Sequence, residues 1–256
     1  MLSALYLYAE IYTVEVRQYT VRVAGLPSGL NGFTILHLSD LHGKEFGRNQ
    51  EKLAALIKKQ EYDLVAITGD LVNKYDPKNE PVARLLEHLK GKPVYFVPGN
   101  HDRWTGFQTE KILRKHGVHI LINEAEKIAR GDRHIWVVGV DDPYIKRDRL
   151  DAALRGVTDA APVILLAHAP NIFPEAVQRK VHLLLVGHTH GGQVRLPFVG
   201  AVTVPGQGLF PEWDYGVFRL GKTTLIINAG LGESGIPLRF NCKPEIVLVT
   251  LSAESN

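Results

Sequence analysis

Between Phe33 and Val97 the chain repeats one arrangement: a short aliphatic run, a polar cluster, then a stretch with helical spacing. Phe33-Thr34-Ile35-Leu36-His37-Leu38 ends at Asp40, Asp63-Leu64-Val65-Ala66-Ile67-Thr68 at Gly69-Asp70, and Pro93-Val94-Tyr95-Phe96-Val97 at Gly99-Asn100-His101. Runs this short and this apolar predict strands buried on both faces. Asn49 is expected to cap a helix through about Lys59, with Leu53, Leu56 and Ile57 on one face. Pro81 opens a second helix carrying Val82, Leu85, Leu86 and Leu89. Repeated strand–helix units predict a largely parallel sheet covered by helices, with ligands bound beyond the carboxyl ends of the strands. The polar clusters therefore converge in space although they lie far apart in sequence.

On either side the pattern changes. From Ile11 to Val23 the residues alternate, Tyr12, Val14 and Val16 against Thr13, Glu15 and Arg17, which predicts a half-buried antiparallel strand turned by Pro27-Ser28-Gly29. Further on, a helix is expected near Gln108 to Lys115. Strands follow around Val118–Ile122, Ala125–Ala129 and Ile135–Val140, and a short helix near Arg147 to Leu154. Val163-Ile164-Leu165-Leu166-Ala167 then runs into His168, and His182-Leu183-Leu184-Leu185-Val186 into Gly187-His188. From Gln193 onward the runs are short and broken by Gly and Pro, with a hairpin expected at Gly221-Lys222. No repeat, low-complexity tract or linker interrupts the chain. The expectation is one α/β domain over residues 1–256, two β-halves packed as a sandwich with helices outside, and an N-terminal strand within residues 1–24.

Composition narrows the function classes. With 45% hydrophobic and 22% charged residues in 256, a packed core is readily built. A net charge of +3 spread along the chain gives no basic block, so nucleic acid is not an expected partner. The lone Cys242 excludes an internal disulfide and a cysteine-based zinc site, and reads as a small buried thiol in a loop. Met1 to Ala9 is apolar and aromatic but about half the length a bilayer crossing needs, and no Lys or Arg precedes it as in a signal peptide. It is read as the start of the first strand, with the remnant of a membrane anchor or an interfacial grip as alternatives. A cytoplasmic location is expected, with peripheral membrane contact as the alternative.

The strand-end residues carry the chemistry. Asp40 and His42 can turn toward one ion, Asp70 offers two oxygens that can bridge two cations, Asn100 offers an amide oxygen, and His168, His188 and His190 offer imidazoles. Mixed carboxylate and imidazole donors suit two divalent ions, manganese first, with iron, zinc or cobalt as alternatives to the all-oxygen preference of calcium and magnesium. Gly69, Gly99 and Gly187 are expected to let the backbone turn sharply there. His37, His88, His116, His119, His134 and His182 lie outside the pattern and are read as structural. His101 is left for catalysis. A two-metal centre is a standard means of attacking a phosphoester with water, so a metal-dependent phosphoester hydrolase is expected.

Asp40-x-His42, Gly69-Asp70, Gly99-Asn100-His101-Asp102, His168 and Gly187-His188-Thr189-His190 resemble, in order, the calcineurin-like metallophosphoesterase signature. The resemblance implies a four-layer αββα sandwich. It implies one metal held by Asp40, His42, Asp70 and His190, and a second held by Asp70, Asn100, His168 and His188. Gly191-Gly192-Gln193-Val194-Arg195-Leu196-Pro197, with Gly230-Leu231-Gly232 through Pro237-Leu238-Arg239-Phe240, resembles the bacterial YkuE/YaeI-type phosphodiesterase branch. Members of that branch are often membrane-associated, and a related group cleaves the pyrophosphate of UDP-2,3-diacylglucosamine; this chain departs by lacking a full anchor.

The expected reaction is in-line attack of a metal-bridging hydroxide on a phosphodiester or pyrophosphate, with both metals and Asn100 stabilising the growing charge. His101 would protonate the leaving oxygen or bind phosphoryl oxygens as imidazolium. Many relatives carry an aspartate where this chain has Asn73. Asn73 can orient the His101 imidazole but not stabilise its cation by charge, so Asp102 is expected to share that task. The substrate is a small-molecule or lipid-linked phosphoester, such as UDP-2,3-diacylglucosamine, the lipid reading resting on the branch and on Phe198, Leu209, Phe210 and Trp213 in Gly-rich loops. The alternatives are a catalytically weak or inactive protein-binding scaffold, which would usually have lost ligands or His101, and a nuclease, for which no groove signature is present.

Overall fold

A computed structural model describes residues 2–254. Its strands are β1 (Glu15–Val23), β2 (Thr34–Leu38), β3 (Leu64–Thr68), β4 (Val94–Val97), β5 (His119–Ile120), β6 (Glu124–Arg130), β7 (Arg133–Gly139) and β8 (Val163–Leu166), then β9 (Leu183–Val186), β10 (Arg195–Leu196), β11 (Gly200–Ala201), β12 (Thr203–Val204), β13 (Gly208–Leu209), β14 (Gly216–Leu220), β15 (Thr223–Ile227) and β16 (Glu245–Ala253). The helices are α1 (Leu2–Tyr12), α2 (Glu51–Ile57), α3 (Glu80–His88), α4 (Asn100–Trp104), α5 (Glu110–Lys115), α6 (Leu150–Leu154) and α7 (Phe173–Gln178).

Two six-stranded sheets carry the architecture, ordered β1-β16-β2-β3-β4-β5 and β14-β15-β9-β8-β7-β6. Within them β2, β3 and β4 are parallel, as are β7, β8, β9 and β15. Side chains alternate between two cores along each strand. Ile35, Leu64 and Ala66 meet Val137, Ile164 and Leu185 between the sheets. Leu36, Val65 and Ile67 pack outward on Leu53, Val82 and Leu85 of α2 and α3, while Leu165 and Leu184 pack on Ala153 and Phe173 of α6 and α7. Burial on both faces explains the unbroken apolar runs, and the four layers are those of an αββα sandwich.

Several expectations are corrected. The segment read as the start of a strand is the helix α1, whose successive turns place Tyr6 edge-on to Phe240 at 5.9 Å and bury Glu10, which accepts a hydrogen bond from the Cys242 amide. Met1 lies outside the described residues. β1 is parallel to β16, not half of an antiparallel pair; Glu15 to Val23 register with Glu245 to Ala253, a partner too distant in sequence for alternation to reveal its direction. Asn49 does not cap α2. It adopts φ +54, and the buried Gln50 instead closes the loop, accepting from the Phe46 amide at 3.0 Å and donating to the Lys44 carbonyl at 2.7 Å. Among the described residues no helix is long and apolar enough to cross a membrane.

Candidate metal centre

The carboxyl ends of β2, β3 and β4 face those of β8 and β9 across the sandwich, and the sheets are tied together there. Asp40 accepts the His188 amide on both carboxylate oxygens, at 3.2 and 3.0 Å, and His168 Nδ1 meets the Thr68 carbonyl at 2.7 Å. So close a seam needs glycine. A β-carbon on Gly187 would stand 1.9 Å from Ser39 Oγ, and one on Gly99 would stand 2.8 Å from the Asp70 amide nitrogen. The expectation that Gly99 and Gly187 supply sharp turns is therefore corrected: their lack of a side chain permits close approach. The left-handed conformation falls instead on the chemical residues, with φ +51 at Asp40, +50 at His42, +53 at Asp70, +69 at His188 and +51 at His190. Such strain in non-glycine residues concentrates at functional sites, where packing over-determines the backbone.

Three buried donor groups result: Asp40, His42 and His190; His42, Asp70 and His101; and Asp70, His168 and His188. In the first, His42 Nε2 and His190 Nε2 are 3.2 Å apart and His190 Nε2 is 3.4 Å from Asp40. In the third, His168 Nε2 lies 3.3 Å from Asp70, 3.0 Å from His188 Nδ1 and 3.1 Å from the Asn100 amide oxygen. His42 Nε2 to Asp70 at 3.6 Å links the two. Donors sharing an ion at about 2.1 Å stand roughly 3.0–3.5 Å from one another; most pairs here match, and His42 stands slightly wider, 3.6 Å from Asp70 and 3.9 Å from Asp40.

The donor set also fits cations by its hydrogen bonding. His190 Nδ1 donates to the Gly232 carbonyl at 3.1 Å, which leaves Nε2 a bare acceptor pointed at other acceptors. His168 is oriented in the same way by Thr68. Burial pushes His42 down to about 3 and holds His188 and His190 well below the ordinary imidazole range, so all three are neutral ligands in waiting. Burial pushes the Asp40 carboxyl up to about 7; burial also acts to raise Asp70, but the charge and hydrogen bond of His168, with His42 and His101, together hold it below the usual carboxylate range. Burial acts to lower His168, but Asp70, Asp40 and Asp142 together raise it well above the imidazole range. Buried carboxylates and imidazoles crowded with this little compensating charge suit divalent cations, whose binding would displace that proton.

The remaining predicted residues divide. His101 lies at the mouth, its ring 4.7 Å from that of His42, and its Nδ1 accepts the Lys74 amide at 3.1 Å. Burial lowers its pKa, and the accepting Nδ1 places the proton of the neutral ring on Nε2. Asp102 is fully buried behind the site and accepts the amides of Asp70, Leu71 and Gly99 at 2.7, 3.1 and 3.0 Å; it locks two ligand loops together and caps α4. It is not bonded to His101, so its expected charge support for that ring is corrected. Asn73 is corrected too: its amide oxygen accepts the Tyr75 amide at 3.0 Å, and the backbone of Lys74, not this side chain, orients His101. The six histidines read as structural are absent from the donor groups, and buried His37 pairs with Thr68 at 2.8 Å.

Two mouth residues escaped the sequence reading, and Arg239 entered it only as part of a branch motif. Trp104, one turn after His101 on α4, and Tyr144, beyond the end of β7, line the mouth beside His101 and His188. The helical spacing of Trp104 and the strand-end place of Tyr144 were the available signals. Arg239 is completely buried, and its guanidinium donates to the carbonyls of Ala229, Gly230, Gly232 and Cys242. It thereby fixes the loop whose Gly232 carbonyl sets the His190 tautomer.

A family model described as calcineurin-like phosphoesterase matches residues 33–192. A metallophosphoesterase of Aquifex aeolicus is 33% identical, covering 100% of this chain and 98% of its own length. The metallophosphoesterase YkuE of Bacillus subtilis is 30% identical, with 96% and 88% covered, and phosphodiesterase YaeI of Escherichia coli is 29% identical, with 90% and 86% covered. Among solved structures, the sulfate thiohydrolase SoxB of Thermus thermophilus superposes with a TM-score of 0.55 at 17% identity, over 89% of this chain but only 57% of its own, a likeness of fold.

Proposed function

The chain belongs to the calcineurin-like phosphoesterases and is a metal-dependent phosphoester hydrolase acting on a small-molecule phosphoester, and from that footing we propose that it cleaves phosphodiester or pyrophosphate bonds at a dinuclear centre. The observation that carries the proposal is the pair of buried donor groups, Asp40-His42-His190 and Asp70-His168-His188, linked through His42 and Asp70. Asp40, His42, Asp70 and His190 would hold one ion, and Asp70, Asn100, His168 and His188 the other. The mixed donors favour manganese over calcium or magnesium, with iron, zinc or cobalt as competitors. When bound, two such cations lower the pKa of water and neutralise charge at phosphorus.

The protein's own groups then have separable tasks. Asn100 faces the phosphoryl oxygens from the start of α4. His101, neutral with its proton on Nε2, donates to the leaving oxygen, its orientation supported by the Lys74 amide. Asp102 acts through Asp70 and Gly99 as a positioning residue. Arg239 and Gly232 hold His190 for ligation. A single domain is proposed for the chain, supported by a central core that both sheets build.

The test uses metal-stripped protein and bis(p-nitrophenyl) phosphate, with metal content measured alongside turnover. Turnover should require added Mn²⁺, with two ions per chain, and Asp70→Asn should lose both ion binding and activity. Hydrolysis that persists without metal would sink the proposal.

A peripheral membrane contact, and with it a lipid-linked phosphoester, is a second reading with its own support. Phe198 is wholly exposed at the turn between β10 and β11, and Leu209 and Phe210, 71% and 70% exposed, project near β13. Trp213 does not join them, because it packs edge-on against Phe173 at 5.6 Å. Sedimentation with phospholipid vesicles tests the contact: the unmodified chain should pellet and the double variant Phe198→Ser, Phe210→Ser should not. Equal partitioning of the two would remove this reading.

A further inference from the structure

Beside the metal centre, and sharing His188 as a wall with it, lies a second cavity of about 220 Å³. It shares Tyr144, His188 and Pro205 with the mouth of the catalytic site. Its other apolar walls are Pro143, Ala169 and Pro170, with Lys146, Asn171 and Gln207 as the polar ones. The Tyr144 ring stands against the His188 ring at 4.4 Å and is 37% exposed, so it presents part of its surface to the cavity.

The slot is built rather than incidental. Buried Asp142 accepts the Tyr144 amide at 2.8 Å, and the Pro143 carbonyl accepts both the Lys146 amide at 3.1 Å and the Asn171 side-chain amide at 3.0 Å. Gly206 approaches Tyr144 so closely that a β-carbon there would stand 3.1 Å from the ring. The polar side chains of the lining are largely committed elsewhere. Gln207 uses its amide oxygen and nitrogen on the Trp213 backbone, and Asn171 donates to Pro143. A polyol would therefore find few partners, and a charged group only Lys146 at the edge.

Size narrows the ligand further. A cavity of about 150 Å³ accepts one benzene ring, so about 220 Å³ has room for one substituted planar ring. We propose that this slot is a specificity subsite that takes a planar aromatic ring attached to the phosphoester, stacked on Tyr144 between Pro143, Pro170 and Pro205. The inference rests on the phosphoester hydrolase reading, since it is the phosphoryl group at the metals that would deliver the ring past His188. Tyr144 is then a specificity residue that contacts the substrate without touching the reacting atoms.

Phenyl phosphate and methyl phosphate share a headgroup and differ only in the ring. Calorimetric titration of each into the Mn²⁺-loaded full chain should give phenyl phosphate roughly tenfold tighter binding, the scale of one stacked ring. Tyr144→Phe should keep that ratio. Tyr144→Ala should reduce it to less than about twofold. Asn171→Trp, which fills the slot from its exposed rim and, though it removes the bond to Pro143, keeps the Asp142 bond to the Tyr144 amide, should do the same even where the alanine variant disturbs the metal ligand. Equal affinities in the unmodified chain would overturn the subsite, as would a ratio that survives both Tyr144→Ala and Asn171→Trp but falls in Trp104→Ala. Failure of either phosphate to bind, together with no metal-dependent turnover of the diester, would instead bring down the hydrolase reading on which the subsite depends.

Discussion

The metal centre and the rim formed by residues 193–214 lie side by side yet are built in opposite ways. In the centre every proposed ligand is buried, five of them hold left-handed backbone, and each loop is bonded to a loop of the other sheet. The rim consists of four two-residue strands with exposed apolar tips at Leu196, Phe198, Leu209 and Phe210. Rigid, over-determined backbone suits groups that must hold ions and charge at fixed spacing. Short hairpins on the surface suit contacts that vary with the partner. The contrast separates the donor groups, set by the two sheets, from the proposed choice of substrate at the loops around the mouth.

The contrast is sharpest at His101, which belongs to the centre but to no complete ligand shell. His101→Ala should lower turnover by roughly a thousandfold while metal content and thermal midpoint stay near those of the unmodified chain. Loss of metal in step with activity would assign His101 to ligation instead.

At the seam, Gly187→Ala forces a β-carbon into the hydrogen-bonded pair of Ser39 and Thr68. Denaturant unfolding should show a loss of about 3 kcal/mol or more. An unchanged midpoint would mean that the sheets can separate at no cost and that the seam does not hold the centre rigid.

Arg239 sits between the two regions and tests whether the centre needs its outer support. Replacing its guanidinium by Arg239→Met strands the buried carbonyls of Ala229 and Cys242 and takes one of two cations from Glu233, which keeps Lys44, at about 2–3 kcal/mol. Metal affinity should fall as well, because the Gly232 carbonyl no longer fixes His190. Destabilisation with undiminished metal affinity would break that coupling.

The smallest effects belong to the rim. Gly208→Ala meets no neighbour within 4 Å and should cost only about 1 kcal/mol, for its φ of +71. Phe198→Ser should alter stability by less than about 0.5 kcal/mol by the same denaturant measurement. A large loss at Phe198 would show that the hairpin tip is part of the folded core after all.

Much of the centre was legible in the chain because each donor follows an apolar run that is a strand on local grounds alone, and donors at the carboxyl ends of parallel strands must share one edge. Asp40, Asp70, Asn100, His168 and His188 announce themselves in this way, and runs buried on both faces point to sheets covered by helices, while the four-layer αββα order came from the family resemblance. What stayed hidden depends on contacts between distant residues. The parallel pairing of β1 with β16, the helix at Leu2–Tyr12, the Thr68 and Gly232 carbonyls that fix two tautomers, and the choice of the Lys74 amide over Asn73 as partner of His101 join segments separated by tens to hundreds of residues. Local propensity is a property of a few neighbouring side chains and can be read along the sequence. Hydrogen-bond partnership, tautomer and the shape of a slot such as that beside Tyr144 exist only once those segments have met, so tertiary structure alone decided them.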